Sequence, residues 1–502
     1  MPPSPARPWP SARPRTAPRA WASSFLALCL PRSLLPSVGS LAALLAPLVA
    51  HADCEPRPTD TTSTTSYSFE GAPVARADGK RCIVWYATSG KHAPDLTAST
   101  PPTPDVVQHA VQVVDDALDR YEQMGFRTPP DDGGSSACAG NPDGRLDVYL
   151  LAFTAADGLT VPERCSGSPA RCASFVVAER APEQRGYASF DEGARTILPH
   201  EAFHAVQNAY DVGVDRYWAE GSAQWATAVL HPDLHDLARL TPGFLDELDR
   251  PLDLPPAGVT ASFLYGSALW PVFLAQRFGP TTLVATMDAH GAASRTSFEA
   301  VDVALAAHGT SVADEFPLFS AWNAATGDRS RSGQGYASAP SYPAAPLSSE
   351  APDGLLAGFS ARLHRVSLTA ASDLALTADT TRLAASWLPL TDGHADLAHL
   401  APLPTKATGE GIVVVAGRST KKSDASYHVA ITAAPAPTTP PTPTTAPTTS
   451  APPTTAPPAE PTADSDSGCS VPVYGGSRRT SGWLLALALV GARRRRPPPS
   501  PP

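Results

Sequence analysis

Apolar and polar residues follow two different periods along the central part of the chain. One run in the first half places apolar side chains at every third or fourth position, which is the spacing of an amphipathic helix. Its apolar members are Val106, Ala110, Val113, Ala117, Leu118 and Tyr121. Thr103 and Asp105, on either side of Pro104, predict a capped start of this helix, and Gly125 predicts its end.

Three short runs in the same half predict strands, because they are rich in β-branched and aromatic residues. They cover residues 82–86, 146–153 and 173–177. After residue 220 the pattern is helical again, and the runs that follow it are residues 271–278, 283–290 and 312–322. The first half of the chain is therefore predicted to form an α+β domain.

From about residue 355 the apolar period changes to two, which is the spacing of strands. Short alternating or apolar segments are separated there by polar turns. The predicted strands cover residues 361–368, 374–378, 412–416 and 427–432. Several short strands at this spacing predict a small all-β sandwich.

The two ends of the chain differ in composition from this central part. Residues 1–52 hold five arginines and no acid, then an apolar run at 34–49, then Ala-His-Ala before Asp53. This layout predicts a secretory signal peptide with a small-x-small cleavage site. A membrane helix is the alternative, and Pro36 and Pro47 speak against it because they interrupt the apolar run.

Beyond the β-rich part, residues 434–463 consist mainly of proline, threonine and alanine, a composition that predicts an extended stalk. Cys469 follows within a Gly-Cys-Ser sequence, then an apolar segment at residues 483–490 and four arginines at 493–496. About ten apolar residues are short for a membrane span. A marginal membrane anchor is therefore one of two interpretations of this tail.

The charge of the chain is concentrated on its central part. Removing the 11 arginines of the two ends from the 38 basic residues leaves 27, against 48 acidic residues, a charge of −21. Such a surface repels polyanions. We therefore expect no nucleic-acid partner, and no membrane contact except through the C-terminal tail.

Seven cysteines are consistent with an oxidising compartment. Cys29 belongs to the predicted signal peptide and Cys469 to the tail. The remaining five are Cys54, Cys82, Cys138, Cys165 and Cys172, an odd number. Cys165 and Cys172 bracket a short Ser/Gly/Pro loop and are the first candidates for a disulfide. Zinc binding by cysteine is not expected, because no C-x-x-C pair occurs.

The motif H-E-x-x-H at residues 200–204 introduces the candidate chemistry. On a helix, His200 and His204 lie on one face a turn apart, so their imidazoles can converge on one metal ion. Glu201 points to the side of this pair, where it can reach a water on the metal. Pro199 directly before His200 leaves two possibilities: the helix begins here, or an upstream turn from about Arg195 is kinked.

A third ligand is predicted in the second helical run. Catalytic zinc takes three protein ligands and keeps one open position. Glu220 lies sixteen residues beyond His204, is followed by Gly221, and stands between Trp218 and Trp225. The competing interpretation is an amphipathic helix with two surface histidines and a solvated glutamate.

Other residues have two interpretations each. Tyr265 opens a helical run and is either the donor to a tetrahedral oxyanion or a core tyrosine. Gln207 and Asp211 either orient the ligand histidines or lie on the helix surface. The loop at residues 131–144 is either a plain turn or a calcium loop. The strand at 173–177 is expected to form the sheet edge on which an extended peptide adds itself.

The metal motif resembles that of the gluzincin metallopeptidases, in which H-E-x-x-H is followed downstream by a glutamate ligand. This resemblance implies that His200, His204 and Glu220 bind Zn²⁺ and that Glu201 is the general base. It also implies a zincin-like fold with a mixed sheet, the motif helix and a helical C-terminal subdomain.

Several further phrases resemble a family of predicted bacterial metalloproteases that end in a MYXO-CTERM-type sorting tag. They are YATSG at 86–90, GNPDG at 140–144, DVYL at 147–150, YG at 265–266 and RFG at 277–279. The likeness covers roughly residues 80–325, and the tail has the layout of the tag. It implies processing near Cys469 and display on the cell surface, with the C-terminal tag as the anchor to the outer membrane.

The predicted organisation has five segments. They are a signal peptide at residues 1–52, a zincin-like metalloprotease domain at 53–335, a β-sandwich at 345–433, a Pro/Thr-rich linker at 434–467 and a sorting tag at 468–502. Whether the start of the second segment, up to about residue 80, is a removable propeptide is open, as is the oligomeric state.

The expected function is that of an exported, surface-displayed zinc endopeptidase that hydrolyses peptide bonds with a zinc-activated water and Glu201 as general base. Its partner would be a protein or peptide substrate. The rival hypothesis is a surface adhesin or binding protein that keeps a zincin-like scaffold without catalysis. The sequence does not distinguish the native substrate.

Overall fold

The computed structural model describes residues 56–60, 65–97, 99–100, 103–132, 144–153, 155–256 and 261–433. The predicted signal peptide, linker and sorting tag lie outside these residues, as do Cys54, Cys138 and most of the candidate calcium loop. The described part is a mixed α+β structure, as the sequence predicts. In that part no helix combines the length and apolarity that crossing a membrane requires.

The first half of the chain contains a sheet and three long helices. In chain order its elements are β1 (Val74–Asp78), β2 (Cys82–Ala87), β3 (Ser99–Thr100), β4 (Thr103–Pro104), α1 (Asp105–Gln123), β5 (Leu146–Leu151), β6 (Gly158–Ser166), β7 (Arg171–Glu179), α2 (Phe190–Asn208) and α3 (Arg216–Leu230). The helix predicted around residues 106–121 is confirmed, and Gly125 ends it with a φ of 98°. Its predicted cap is wrong, because Pro104 takes the N-cap position without a side-chain hydrogen bond.

Five strands form the first sheet in the order β1-β2-β5-β7-β6. β2, β5 and β7 run parallel, and β1 and β6 run antiparallel to their neighbours. α1 is the crossover between the parallel strands β2 and β5, which antiparallel turns could not connect. β5 is buried at every position, so a continuous apolar run rather than an alternating one marks the sheet centre.

The two faces of this sheet are covered differently. Val84, Val148 and Val176 face the core shared with α1 and α2. The alternate residues, such as Tyr149 and Phe175, face a second core, which the segment at residues 65–69 closes with Tyr67 and Phe69. Side chains alternate between the two faces of a strand, so α2 packs against one face of β6 and β7 and the N-terminal segment packs against the other.

The prediction that residues 173–177 form a sheet edge is wrong. They lie within β7, which pairs with β5 on one side and with β6 on the other. The edge is β6, which forms a hairpin with β7 around the disulfide Cys165–Cys172. That disulfide confirms the first pairing expected from the sequence. Among the described cysteines Cys82 is free, and it is fully buried.

Within the described residues seven further α-helices follow α3, and their apolar side chains share one core cluster with it. They are α4 (Asp236–Leu240), α5 (Pro242–Leu245), α6 (Ala261–Gly266), α7 (Leu269–Phe278), α8 (Thr281–Ala292), α9 (Ser297–Ala306) and α10 (Val312–Ala324). The three helical runs predicted after residue 270 correspond to α7, α8 and α10. Trp270 and Phe273 of α7 stack on one another and are fully buried.

The remaining strands form one antiparallel sheet. They are β8 (Asp353–Leu356), β9 (Ala361–Ala378), β10 (Leu383–Thr391), β11 (His394–Ala395), β12 (Ala401–Pro402), β13 (Thr405–Gly417) and β14 (Ala425–Ala433). Their order is β11-β10-β13-β9-β14-β8, with β12 on β10. The four strands predicted from the sequence lie in β9, β13 and β14.

The predicted sandwich is one continuous bent sheet rather than two separate sheets. β9 joins the two segments predicted as separate strands, pairing with β13 along one part and with β14 along another. Tyr427 pairs with Ala378, yet its hydroxyl contacts His364 Nε2 at 2.9 Å. Fourteen residues of straight strand would span about 45 Å. β9 therefore folds back, and its two arms enclose a core of their own.

The sheet of β8–β14 also shares a core with the helices. Phe359 packs at a tilt against Phe298 of α9 and Phe316 of α10. Main-chain hydrogen bonds join Leu252 to Phe359 and Ala361 to Leu248. One apolar cluster consequently runs from the first sheet to β13, across the boundary predicted near residue 340.

The N-terminal segment is anchored by a buried arginine. Arg57 is 4 % exposed and forms ion pairs with Asp132, Asp147 and Glu163, which are buried too. Burial raises the pKa of Glu163, although the positive charge of Arg57 opposes this effect. Because three carboxylates depend on one guanidinium, the described part of this segment belongs to the folded domain.

We expect Arg57→Ala to lower the free energy of unfolding by about 3–5 kcal/mol, because it leaves buried carboxylates without a counter-ion. Urea unfolding followed by circular dichroism measures this change. Arg76→Ala is the matched control, since the partly exposed pair Arg76–Asp78 should contribute less than about 1 kcal/mol. Equal effects of the two substitutions would mean that Arg57 is not an anchor.

Candidate metal centre

α2 carries the H-E-x-x-H motif in its interior. The helix begins after Ser189, whose hydroxyl accepts a hydrogen bond from the Glu192 main-chain N–H at 3.1 Å. It then continues through Pro199 to Asn208. Of the two possibilities left by the sequence, the helix therefore begins upstream of the proline. The Pro199 carbonyl accepts a hydrogen bond from the Tyr121 hydroxyl at 3.0 Å, which ties this turn to α1.

Three side chains converge between α2 and α3. His200 and His204 share one face of α2, and their Nε2 atoms are 3.1 Å apart. Glu220, in the second turn of α3, places Oε2 at 3.2 Å from His200 Nε2 and 3.5 Å from His204 Nε2. Within the described ranges this is the one group of three His, Cys, Asp or Glu ligand atoms close enough to share a metal ion.

The spacing of these atoms suits a tetrahedral zinc ion. Zinc binds imidazole nitrogen and carboxylate oxygen at about 2.0–2.2 Å, so two ligands at a tetrahedral angle lie roughly 3.3–3.5 Å apart. The three observed distances range from 3.1 to 3.5 Å. Two imidazoles and one carboxylate are also the donor set of catalytic sites that keep a fourth position open. The residues therefore fit zinc in both distance and chemistry.

The members of the triad shift each other's pKa values. Burial lowers the pKa of His204, but the negative charge of Glu220 outweighs this effect and raises it to about 9. Burial raises the pKa of Glu220, but the two imidazoles outweigh it and hold that pKa well below its ordinary value. A metal ion consequently has to displace a proton from this group in order to bind.

Gln207 connects the two helices that carry the triad. Its Oε1 lies 2.7 Å from His204 Nδ1, so Nδ1 donates to Gln207 and Nε2 faces His200 and Glu220. Its amide Nε2 donates to the Ala219 carbonyl at 2.8 Å and to the Ser222 hydroxyl at 2.9 Å, both on α3. Of the two interpretations of Gln207, the structure shows the contact with a candidate ligand histidine and not the position on the helix surface.

Asp211 has a different environment. Its Oδ1 accepts a hydrogen bond from the Gly213 main-chain N–H at 2.9 Å, in the turn between α2 and α3. It shapes the connection between the helices and has no described hydrogen bond to His200 or His204. Neither of the two interpretations of Asp211 is observed, because the side chain is buried beyond the last turn of α2 and bonds locally.

Glu220 reaches the histidines because α3 packs closely on the next helical layer. A Cβ atom on Gly221 would lie 3.0 Å from Ser267 Oγ and 3.3 Å from the Ala268 nitrogen. The glycine thus lets α3 approach the turn between α6 and α7 without a side chain between them. Trp218 is fully buried on the same helix and fixes its rotation.

Glu201 lies beside the triad and outside it. It is 8 % exposed, and its carboxylate turns toward the edge strand β6. Thr160 Oγ1 is 2.7 Å from Glu201 Oε2. The sequence predicts that the two histidines bind the metal and that Glu201 does not. The position of Glu201 outside the triad is consistent with this prediction.

Tyr265 is brought into the site by α6. Its ring packs edge-on against His200, with centroids 5.3 Å apart, and it is partly exposed. Burial raises the pKa of Tyr265 well above its ordinary value, and the charges of Glu220 and Glu201 raise it further. The phenol therefore keeps its proton at neutral pH and can act as a hydrogen-bond donor.

Strand β6 and its residue Thr160 were missed in the sequence. β6 is polar and contains Pro162, so it lacks the apolar run that marks the other strands. The available signal was the predicted Cys165–Cys172 bridge. A short loop closed by a disulfide ahead of a predicted strand indicates a hairpin, and hence an antiparallel partner on its N-terminal side.

Comparison with known protein families finds no family model that matches this chain. The curated proteins likewise contain no match to it. The function proposed below is accordingly based on the geometry of the triad formed by His200, His204 and Glu220 together with Glu201.

The purified protein is expected to bind one zinc ion per chain, because three ligand atoms already lie at the required spacing. His204→Ala and Glu220→Ala should each weaken zinc binding by at least about 100-fold, measured by competition with a chelating dye. His399→Ala is the control, since this exposed histidine lies in the second sheet region. If Glu220→Ala still binds one zinc ion tightly, Glu220 is not a zinc ligand.

Gln207→Leu is expected to weaken zinc binding by about 10- to 100-fold, because His204 loses its partner and α3 loses two hydrogen bonds. The same competition assay measures this change. Asp211→Asn serves as the comparison and should change the affinity less than about 3-fold, since an amide oxygen can still accept from Gly213. If both variants bind zinc like the wild type, Gln207 does not orient a ligand.

Proposed function

We propose that this protein is a zinc-dependent endopeptidase with a zincin-like catalytic domain. The observation that carries the proposal is the convergence of His200, His204 and Glu220 from two helices, with Glu201 beside them and free of the triad. A mixed sheet with an antiparallel edge strand next to the motif helix is compatible with a zincin-type arrangement. The resemblance of the sequence to the gluzincins points in the same direction.

His200, His204 and Glu220 are the residues that would hold the zinc ion. When bound there, zinc supplies a Lewis acid that lowers the pKa of a water molecule to about 7 and polarises the scissile carbonyl. The two imidazoles and the carboxylate would supply three ligands, the number that catalytic zinc sites take from the protein. Gln207 holds His204 so that its Nε2 atom faces His200 and Glu220.

Glu201 is the proposed general base. Its carboxylate takes a proton from the attacking water as the new C–O bond forms, and later delivers that proton to the nitrogen of the leaving amine as the peptide C–N bond breaks. The burial of Glu201 limits competition by bulk water. Oε2 receives the Thr160 hydroxyl, which leaves Oε1 for the proton.

Tyr265 is the proposed donor to the developing oxyanion. Its ring is perpendicular to that of His200 and lies in the wall formed by α6. A phenol with a raised pKa stays protonated, so it can donate a hydrogen bond to negative charge that develops on the carbonyl oxygen. This role requires the hydroxyl to face the substrate rather than the core.

The proposed substrate is an extended peptide. β6 pairs with β7 along one side, and no strand of the described ranges pairs with its other side. Its partly exposed residues Gly158 and Thr160 lie next to Glu201. An extended chain can add to such an edge through main-chain hydrogen bonds and so bring its carbonyl groups to the triad.

The proposed location is outside the cytoplasm. A disulfide between Cys165 and Cys172 is typical of an oxidising compartment and supports export. Anchoring on the cell surface through the sorting tag stays a prediction from the sequence, because the tag lies outside the described residues.

The zinc-loaded wild-type protein should cleave an unstructured protein such as casein, and Glu201→Gln should reduce the rate by at least about 100-fold while one zinc ion stays bound. Glutamine retains the size of the side chain and its contact with Thr160 but cannot take the proton. Product peptides are measured by mass spectrometry. Stoichiometric zinc in the wild type with no turnover on casein or on a peptide library would favour the non-catalytic binding protein.

A further inference from the structure

The edge strand β6 contacts the proposed base at two points. Thr160 Oγ1 lies 2.7 Å from Glu201 Oε2 and 2.8 Å from the Glu201 main-chain oxygen. At Gly158, a Cβ atom would lie 2.7 Å from both Cγ and Oε1 of Glu201. Thr160 therefore binds the carboxylate of Glu201, and Gly158 leaves the space that this side chain occupies.

The absence of a side chain at residue 158 is a steric requirement of this contact. Real Cβ atoms do not approach other atoms to 2.7 Å, so any other residue would push Glu201 away from the strand or separate β6 from α2. The same Cβ atom would lie 2.8 Å from Ile197 Cγ2, so it could not avoid Glu201 by moving toward Ile197. Gly158 thus fixes how closely strand and helix can pack.

The hydroxyl of Thr160 has two acceptors of Glu201 within hydrogen-bond distance. They are the carboxylate Oε2 and the main-chain oxygen. A hydroxyl group has one proton to donate, and the contact with Oε2 is the shorter of the two. Thr160 therefore holds the carboxylate close to the backbone of its own residue.

We propose that Thr160 is a positioning residue that holds the Glu201 carboxylate in its catalytic orientation, with Gly158 providing the space. This inference is conditional on the proposed peptidase function. Thr160 lies on the strand to which the peptide would add, and it pairs with Val176 in the sheet. The strand that receives the substrate and the base that acts on it are consequently one rigid unit, so the peptide register and the proton acceptor are set together.

The test replaces the hydroxyl while keeping the shape of the side chain. Thr160→Val should lower kcat for a fluorogenic peptide by about 10- to 100-fold, the effect of losing one hydrogen bond to a charged group. KM and zinc affinity should change less than about 3-fold, because the strand edge and the triad are unchanged. Thr160→Ser should restore kcat to within about 3-fold of the wild type, since serine returns the hydroxyl.

The control is Thr227→Val, which removes a buried hydroxyl that bonds the Ala223 carbonyl within α3. It should leave kcat within about 3-fold of the wild type, which separates positioning from a general loss of stability. Gly158→Ala provides a second variant and should lower kcat at least as much as Thr160→Val, with zinc still bound. An unchanged kcat in Thr160→Val would overturn the inference while leaving the peptidase proposal intact.

A structural readout decides the point independently of activity. Crystal structures of the zinc-loaded wild type and of Thr160→Val should differ in the Glu201 side chain: bonded to Thr160 Oγ1 in the wild type and rotated away from residue 160 in the variant. The same carboxylate position in both crystals would overturn the positioning role. If the wild type binds zinc but does not cleave peptides, the peptidase proposal fails, and these two structures still show whether Thr160 holds Glu201.

Discussion

The candidate site depends on one constraint, which is that Glu220 of α3 must meet two histidines of α2 at contact distance. Bringing two imidazoles and a carboxylate together in a partly buried place requires compensation for lost hydration. The attraction between Glu220 and the imidazoles supplies part of it: the charge of Glu220 raises the pKa of His204, and the two imidazoles lower the pKa of Glu220. A divalent cation would supply more, since it replaces a shared proton with two positive charges.

The packing around the triad turns this local pairing into a fixed geometry. Gln207 bonds His204 on one helix and the Ala219 carbonyl, next to Glu220, on the other. Gly221 lets α3 rest directly on the turn after α6, the helix that carries Tyr265. Thr160 of β6 donates a hydrogen bond to Glu201. Each chemical group is consequently fixed by a different neighbour, and a displacement of any one element changes a distance in the site.

The sequence predicted the parts of this arrangement that depend on local spacing. His200, His204 and Glu201 follow from the period of a helix, and the acid at residue 220 follows from a second helical run. Partners that are distant in sequence were harder to predict. β7 was expected at a sheet edge, but its partner β6 is polar and carries no apolar signal. The bent sheet was expected as a sandwich, because a fold within one long strand has no local mark.

If α2 and α3 together hold one divalent ion, a crystal of the zinc-loaded protein should show it by anomalous diffraction at the zinc absorption edge. We expect a single strong peak at about 2.0–2.2 Å from His200 Nε2, His204 Nε2 and a carboxylate oxygen of Glu220. A peak elsewhere, or a zinc ion whose ligands do not include Glu220, would show that the two helices do not share a metal ion.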